Sequence, residues 1–174
     1  MERQKEEQKM ENKKYKVGMY GGKFMPFHKG HLYCVEEAAK QCETLYVVLF
    51  HGGAQELQIL KDRPNEQFLT VEDRWEHVKQ GCKHVENAVV IDIDTTECKH
   101  PDGTENWEME TPLVEDACGK LDVVFGSEAD YGAYFKKAFP QADYVMIDLE
   151  RKAVPISATM LRAMNEEERK KWIV

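Results

Sequence analysis

A lysine and two histidines lie close together near the start of the chain. Lys23 supplies a mobile positive charge, and His28 and His31 can each donate a hydrogen bond to a phosphoryl oxygen. The helical apolar pattern of residues 32–41 follows directly, so these side chains should lie at a helix N-terminus, where backbone N–H groups attract anions. The segment therefore indicates a site that binds a phosphoryl group.

Three glycines accompany these residues. Gly21, Gly22 and Gly30 have no Cβ atom, so we expect a bulky ligand to lie against the backbone at each of them. The alternative is an ordinary turn followed by structural histidines, but the coincidence of glycines, a lysine and a helix start favours the functional interpretation. Zinc binding by His28 and His31 would need a third ligand, and no nearby residue is an obvious one.

A second candidate segment is Ile156-Ser157-Ala158-Thr159-Met160-Leu161-Arg162. Ser157 can cap a helix whose free N–H groups face a triphosphate, and Arg162, one turn on, can pair with phosphate oxygens in a fork geometry. Capping alone is an equally good account of Ser157. For Arg162 a surface salt bridge is the alternative, but its spacing from the Ser-Thr pair favours contact with a ligand.

The composition describes a globular, acidic domain. The chain has 174 residues, 42% of them hydrophobic, which fits one domain with a substantial core. Its formal charge of −8 argues against nucleic acid as the main partner. A nucleotide would therefore need a local cluster of positive side chains.

Cysteine usage and hydropathy bear on location. The five cysteines are odd in number, scattered and without a CxxC pair, which indicates reduced thiols. No apolar run reaches the ~20 residues needed to span a bilayer, and the N-terminus has no apolar signal-peptide core. We expect a cytoplasmic protein without a membrane partner, and a homo-oligomer is compatible with the sequence.

Strand and helix patterns alternate along the chain. Strands are predicted at 15–20, 44–50, 88–93, 121–125 and 144–149. Helices are predicted at 30–42, 70–82, 111–119 and 134–139, and from Ser157 onward, with Pro112 at the first turn of the third. This alternation predicts an α/β fold with a five-stranded parallel sheet and ligands at the carboxyl ends of its strands.

Two segments do not fit this alternation. Residues 1–14 are almost wholly charged or amide, so we expect a solvated tail preceding a single domain at 15–174. The polar residues after His51 predict a long connection before the helix at Thr70, of a length that suggests a functional or mobile loop.

The first segment resembles the HxGH signature of the nucleotidyltransferase superfamily, and the second resembles its ISxTxxR signature. The longer form of the first, residues 22–31, is similar to nicotinamide mononucleotide (NMN) adenylyltransferases, especially those often fused to a ribosylnicotinamide kinase. The resemblance implies a Rossmann-like nucleotidyltransferase fold. Class I aminoacyl-tRNA synthetases share HxGH, but they carry a lysine-rich loop in place of the second segment and a much longer chain.

The resemblance also implies a reaction: the phosphate of NMN attacks the α-phosphorus of ATP in line, giving NAD and pyrophosphate with Mg²⁺ bound through the ATP phosphates. The catalytic residues would be Lys23, His28, His31 and Arg162. The ATP-binding residues would be Gly21, Gly22, Phe24, Gly30, Gly126, Ser127, Glu128, Ile156, Ser157 and Thr159. For the loop after the fourth strand, a simple strand-to-helix turn is the alternative.

The acceptor side of the site is implied in the same way. Trp107 matches the aromatic residue that such enzymes stack on nicotinamide, Arg74 matches an arginine near the mononucleotide phosphate, and Asn106 flanks the tryptophan. The alternatives are core burial for Trp107 and a solvated helix position for Arg74. No metal-binding residues are implied, and Asp92 and Asp94 are better explained as the end of a strand.

Two other functions remain open at this stage. One is a cytidylyltransferase, or an adenylyltransferase of the same fold with a different phosphorylated acceptor. The other is a nucleotide sensor that binds without catalysis, against which the two intact signatures argue.

Overall fold

A computed structural model describes residues 1–128, 131–148 and 150–174, in which strands alternate with helices. The strands are β1 (Tyr15–Gly22), β2 (Cys42–His51), β3 (Ala88–Asp94), β4 (Val123–Gly126) and β5 (Asp143–Met146). The helices are α1 (Glu2–Glu11), α2 (Lys29–Ala39), α3 (Ala54–Asp62), α4 (Val71–Cys82), α5 (Glu110–Cys118), α6 (Gly132–Ala138), α7 (Ala158–Ala163) and α8 (Glu166–Arg169). Leu149, predicted as the end of β5, and positions 129 and 130 of the predicted adenosine loop lie outside the described residues.

The five strands form one parallel sheet with the order β3-β2-β1-β4-β5. β1 is central: Tyr20 is in register with Val47 of β2 on one side and Phe125 of β4 on the other. The chain winds outward from β1 to β3 and then returns to β4, so the strand order reverses between β1 and β4. Ligands bind at this switch point in open α/β sheets. The predicted parallel α/β architecture is confirmed.

Apolar side chains cover both faces of the sheet. Met19 packs on one face with Val48, whereas Tyr20 packs on the opposite face with Val47, as the alternation of neighbouring strand residues requires. Val47 and Val48 are both completely buried. Burial on both faces of the sheet explains why the sequence of β2 is a nearly continuous run of apolar residues.

Several predicted helix ends are confirmed by their capping contacts. The Thr70 hydroxyl accepts from the Asp73 N–H at 3.3 Å and starts α4. Gly119 ends α5 with a positive φ of 71°, a conformation that glycine adopts without strain. The predicted start of α5 is wrong by one residue: the helix begins at Glu110, so Pro112 lies at its third position.

The polar connection predicted after His51 is largely helical, because α3 occupies Ala54–Asp62. Glu56 of α3 is buried, and its carboxylate pairs with the guanidinium of Arg74 and accepts from the Gly52 N–H. Local sequence gives no sign that a glutamate here is buried, since its partner comes from α4. The prediction of a loop was therefore wrong for a non-local reason.

Residues 2–11 also form a helix, α1, where a solvated tail was expected. The segment consists almost entirely of Glu, Lys, Gln and Arg, which are good helix formers. Every side chain of α1 whose exposure the structure describes is exposed to solvent.

The five cysteines are all buried, and none is part of a disulfide in this structure. Among the described residues, none of the helices combines the length and apolar character that crossing a bilayer requires.

Candidate active site

A cavity of about 380 Å³ opens at the carboxyl ends of β1 and β4, within the size range of small-molecule sites. The predicted residues that line it are Gly21, Gly22, Lys23, Phe24, His31, Trp107, Gly126, Ser127, Glu128 and Arg162. The predicted residues that do not line it are His28, Gly30, Arg74, Asn106, Ile156, Ser157 and Thr159. The first and second signature segments thus contribute to one cavity.

A direct hydrogen bond joins the two segments. The Nη1 atom of Arg162 donates to the carbonyl oxygen of Met25 at 2.9 Å. Ile156 also lies beside Gly30, since a Cβ atom added to Gly30 would lie 3.5 Å from the Ile156 Cγ2 atom. Segments far apart in the sequence are therefore held in contact at the cavity.

The first backbone N–H groups of α2 all have partners within the protein. The His28 N–H donates to Nδ1 of His31 at 3.2 Å, and the N–H groups of Gly30 and His31 donate to Nδ1 of His28 at 3.0 and 3.4 Å. The Lys29 N–H donates to the Trp172 carbonyl at 2.8 Å. The expectation that free N–H groups at this helix start would bind phosphate is wrong, since capping consumes them.

This capping fixes the tautomers of both histidines. An Nδ1 atom that accepts a hydrogen bond carries no proton, so in each neutral ring the proton is on Nε2. The Nε2 atom of His28 is buried and has no hydrogen-bond partner among the described residues. His31 lines the cavity, and its Nε2 likewise makes no hydrogen bond to any described residue. The Nε2–H of His31 therefore remains as an oriented donor for a ligand, and that of His28 lies buried beside it.

Both imidazoles are held neutral at physiological pH. Burial lowers the pKa of His28 to about 4, and the positive charge of Arg151 contributes to that shift. Burial also lowers the pKa of His31 well below its ordinary value, with smaller contributions from His28 and Arg151. The rings therefore act as neutral hydrogen-bond donors and add no positive charge to the site.

Residues 172–174 pack behind the HxGH segment and form what we call the C-terminal strap. Ile173 pairs with His28 in an antiparallel bridge, next to the hydrogen bond from Lys29 to Trp172. Gly81 of α4 leaves room for this contact, because a Cβ there would collide with both Phe27 and Val174. The strap thus holds the backbone that carries His28.

Arg162 supplies a cation at the cavity wall. Its Nη2 atom lies 3.4 Å from the Thr159 hydroxyl, and burial together with the nearby Arg63 lowers its pKa. Ser157 is the N-cap of α7, with its hydroxyl accepting from the Met160 N–H at 3.2 Å. Ser157 and Thr159 therefore position Arg162 and its helix, which favours the capping account of Ser157.

Arg151 is a site residue that sequence reasoning did not identify. Its side chain lines the cavity, donates to the Ile156 carbonyl at 2.9 Å and lies 3.8 Å from a carboxylate oxygen of Glu128. Its backbone has a positive φ of 51°, which directs the chain back toward the cavity after β5. The available signal was a basic residue just after a strand, at the end of the sheet where ligands bind.

The glycines of the first segment make room for protein side chains. A Cβ at Gly21 would lie 2.5 Å from the Phe50 ring, and one at Gly22 would lie 2.9 Å from the Phe24 ring. A Cβ at Gly30 would lie 2.8 Å from the His28 ring. These positions therefore admit aromatic rings that shape the loop. Gly21 and Gly22 also line the cavity, and contact of the glycines with a ligand stays a prediction.

The loop after β4 forms another wall of the cavity. Gly126, Ser127 and Glu128 all line it, and the Ser127 hydroxyl lies 3.2 Å from the Cys34 thiol. The Glu128 carbonyl accepts from the Tyr144 hydroxyl at 2.6 Å, which fixes the backbone of the loop. The described part of this loop is therefore an ordered surface beside the imidazoles.

Trp107 also lines the cavity and is not buried in the core. Its ring packs against Tyr131 and Tyr134, with centroid separations of 5.4 and 4.9 Å. The Tyr134 hydroxyl also donates to the Trp107 carbonyl at 2.7 Å. These contacts hold an indole at the cavity wall, where a planar ligand could stack on it.

Two carboxylates accompany Trp107. Glu105 accepts from the Trp107 indole N–H at 3.0 Å and lies 3.6 Å from the Lys23 ammonium group. Burial alone would raise the pKa of Glu105. The contacts with Trp107, the Gln55 N–H and Lys23 outweigh that effect and hold the pKa below its ordinary value. Glu110 also lines the cavity, and burial with the nearby Glu105 raises its pKa to about 7.

Arg74 and Asn106 are engaged elsewhere. Arg74 is completely buried, pairs with Glu56, and donates to the Lys23 carbonyl at 2.7 Å and the Leu69 carbonyl at 3.0 Å. In this arrangement Arg74 positions the loop that carries Lys23, and neither it nor Asn106 reaches the cavity. Asn106 caps the short 3₁₀ turn at Trp107. Their contact with an acceptor stays a prediction.

The described residues contain no group of His, Cys, Asp and Glu side chains arranged to hold a metal ion. Asp92 pairs with His51 at 2.9 Å, and Asp94 accepts from Thr96. Both aspartates thus have local partners at the end of β3.

A family model described as cytidylyltransferase-like matches residues 19–164, a span that includes both signature segments. The chain belongs to the cytidylyltransferase-like family. It is therefore a member of the nucleotidyltransferases, as the resemblance implied. Membership in this family supports an enzymatic role for the cavity.

Curated relatives of two different kinds are similar to the chain. It is 24% identical over 149 residues to the trifunctional NAD biosynthesis/regulator protein NadR of Salmonella typhimurium, covering 84% of this chain and 36% of that protein. It is 33% identical over 76 residues to a phosphopantetheine adenylyltransferase of Streptococcus gordonii, covering 44% of this chain and 40% of that protein. The chain thus spans well under half the length of either relative.

A solved structure of a NadR protein in complex with NR has a similar fold. The TM-score is 0.65 at 24% sequence identity, and the match covers 92% of this chain and 43% of that one. At this identity the likeness establishes the nucleotidyltransferase fold.

Proposed function

We propose that the chain transfers the adenylyl group of ATP to nicotinamide mononucleotide and releases pyrophosphate. The observation that carries this proposal is that one cavity is lined by two chemically different groups of side chains. His31, Arg151 and Arg162 form the group that we call the phosphate end, and Trp107 with Tyr131 and Tyr134 forms the group that we call the Trp107 end. A nucleotide triphosphate suits the first group, and an aromatic mononucleotide suits the second.

The chemistry is a direct substitution at phosphorus. A phosphate oxygen of the mononucleotide forms a bond to the α-phosphorus of ATP, and the bond from that phosphorus to the bridging oxygen breaks. Pyrophosphate leaves with the electron pair of that bond. The protein supplies no nucleophile, so the acceleration comes from positioning and from stabilisation of the charge that moves to the leaving group.

Named side chains have distinct parts in this scheme. Neutral His31, which lines the cavity, donates from Nε2 to a phosphate oxygen without altering the charge of the site, and the His28 ring stacked on it holds it in place. Arg162 and Arg151 then stabilise the negative charge that shifts to pyrophosphate, whereas Lys23, 3.6 Å from Glu105, lies toward the acceptor. Because the imidazoles are already oriented by capping, no reorganisation of these donors is needed during the reaction.

ATP would enter as its magnesium complex, in which the cation neutralises phosphate charge and polarises the reacting phosphoryl group. The protein groups facing the phosphate end are mainly cations, with Glu128 paired to Arg151. This donor set suits a metal ion held by the nucleotide better than one held by protein ligands.

The test offers MgATP or MgCTP with nicotinamide mononucleotide, nicotinate mononucleotide or 4′-phosphopantetheine, and identifies the products by mass. We expect NAD and pyrophosphate from MgATP with nicotinamide mononucleotide. Product formation only with another acceptor or with MgCTP would refute the assignment. Binding of ATP without pyrophosphate release in any mixture would instead support a sensor.

A phosphopantetheine acceptor is the second candidate, favoured by the 33% identity to the Streptococcus gordonii enzyme. That similarity covers less than half of the chain. The wall formed by Trp107, Tyr131 and Tyr134 favours a flat aromatic acceptor over a flexible pantetheine arm. The acceptor mixture described above separates the two.

A further inference from the structure

The Trp107 end of the cavity contains one carboxylate that is fully engaged. Glu105 accepts from the Trp107 indole at 3.0 Å and from the Gln55 N–H at 3.2 Å, and it lies 3.6 Å from Lys23. Its position beside Gly53 is so close that a Cβ there would lie 2.6 Å from its Oε1 atom. Glu105 therefore carries a fixed negative charge with little freedom to reorient.

Glu110 has a different environment. It is the first residue of α5, it lines the same cavity, and its carboxyl group makes no hydrogen bond to any described residue. The titratable groups that face it are Glu105, Lys23, Tyr134 and Cys98. A half-buried carboxyl with unused hydrogen-bonding capacity, aimed into a ligand cavity, is available to a bound molecule.

We propose that Glu110 is a specificity-determining residue that favours an acceptor ring bearing a neutral carboxamide over one bearing a carboxylate. The inference rests on the proposed function. A carboxamide can donate an N–H to the ionised Glu110 or accept from its protonated form, so it satisfies this group in either state. A carboxylate on the ring would instead be placed beside the permanent charge of Glu105 and the variable charge of Glu110.

This arrangement makes the selectivity depend on pH. The pKa of Glu110 is raised to about 7 by burial and by Glu105, while Lys23 opposes the shift. Raising the pH from 6 to 8 therefore adds a second negative charge at this end of the cavity, which repels an anionic ring substituent. Both acceptors carry the same phosphate, so its own titration cancels when their rates are compared as a ratio.

The experiment measures kcat/KM for nicotinamide mononucleotide and for nicotinate mononucleotide from pH 6 to 8. We expect the ratio in favour of the amide to rise about tenfold in the unmodified protein, which corresponds to about 1.4 kcal/mol. In Glu110→Gln the ratio should not change with pH. Glu108→Gln, which alters an exposed carboxylate paired with Lys137, should behave as the unmodified protein does.

Quenching of intrinsic tryptophan fluorescence gives the affinity for each mononucleotide without turnover, and Glu110→Ala serves as a second variant. The inference is overturned if the ratio of the two kcat/KM values does not vary with pH in the unmodified protein. It is also overturned if that ratio still depends on pH in both Glu110 variants. Either result leaves the proposed function intact. Failure to bind either mononucleotide overturns both. Selective, pH-dependent binding without adenylyl transfer supports the inference and overturns the proposed function alone.

Discussion

The imidazole rings of His28 and His31 stack with their centroids 3.6 Å apart and their planes inclined by 27°. Each ring accepts a backbone N–H of the other residue at Nδ1. One reciprocal contact therefore caps the helix, selects the tautomer of both rings and leaves both Nε2 atoms as donors. The HxGH spacing is what permits this, since the N-cap and N3 positions of a helix are three residues apart.

Replacing His31 should remove a donor at the reacting phosphate. For His31→Ala we expect kcat for pyrophosphate release to fall by about 10²–10³-fold, the range seen when one preorganised donor is lost. His84→Ala, which removes an exposed histidine paired with Glu36, is the matched control. Full activity in His31→Ala, with the thermal unfolding temperature of the control, would contradict the role assigned to this ring.

Acid should destabilise the fold through His28. Its pKa is about 4 in the folded state against an ordinary value of 6.5, so the unfolded chain binds more protons between these limits. The stabilisation that comes from keeping His28 neutral is present in full above pH 6.5. It is lost as the pH falls toward 4, which lowers the free energy of unfolding by up to about 3 kcal/mol. In urea unfolding from pH 7.5 to 4.5, the unfolding free energy should fall less steeply in His28→Asn, which retains an N-cap side chain. Equal slopes would disprove the assignment.

Gly30→Ala should separate activity from stability. The new Cβ would displace the His28 ring, whose Cε1 and Nδ1 atoms lie 2.8 and 3.0 Å from its ideal position. Alanine gains about 0.5–1 kcal/mol over glycine in a helix, which offsets part of the clash. We therefore expect a small change in unfolding free energy and a loss of about 10² in kcat. Lys29→Ala, at the exposed neighbouring position, should leave kcat unchanged.

The buried pair of Glu56 and Arg74 should contribute more to stability than any exposed pair. Arg74→Met would leave the Glu56 carboxylate buried without its partner, at a cost of about 3–5 kcal/mol in unfolding free energy. Glu108→Gln, which breaks an exposed pair, should leave the unfolding free energy almost unchanged. Chemical denaturation of both variants measures the difference, and equal costs would refute it.

Arg151 should contribute to ATP binding. Loss of its charged hydrogen bonds in Arg151→Ala should raise KM for ATP by about 10-fold or more. Arg151→Lys should restore part of the affinity, because it retains the charge but not the fork geometry. Lys152→Ala, at an exposed neighbouring residue, should leave KM unchanged. A KM in Arg151→Ala equal to that of this control would exclude Arg151 from the phosphate end.

The sequence predicted those features that depend on local pattern. Apolar runs located the strands, Thr70 and Ser157 located helix starts, and Gly119 located a helix end. The convergence of the HxGH and ISxTxxR segments followed from the parallel sheet, which brings strand ends to one edge. Trp107 was assigned to the site by its resemblance to the stacking residue of NMN adenylyltransferases, and it lines the cavity.

What the sequence could not predict depends on distant partners. Glu56 is buried because Arg74 neutralises it, so α3 was mistaken for a polar loop. The N–H groups of α2 are occupied in part by Trp172, a contact that no local pattern reveals. Arg151 reaches the cavity through a positive φ that a non-glycine residue rarely adopts.

The strap links the loop that carries His28 to a part of the sequence that lies outside the sheet. The backbone at Trp172 and Ile173 holds this loop, and none of the five strands takes part in that contact. Loss of the strap would leave the Lys29 amide without its partner while the strand pairing stays intact. Formation of the sheet and locking of the imidazoles are therefore separable steps.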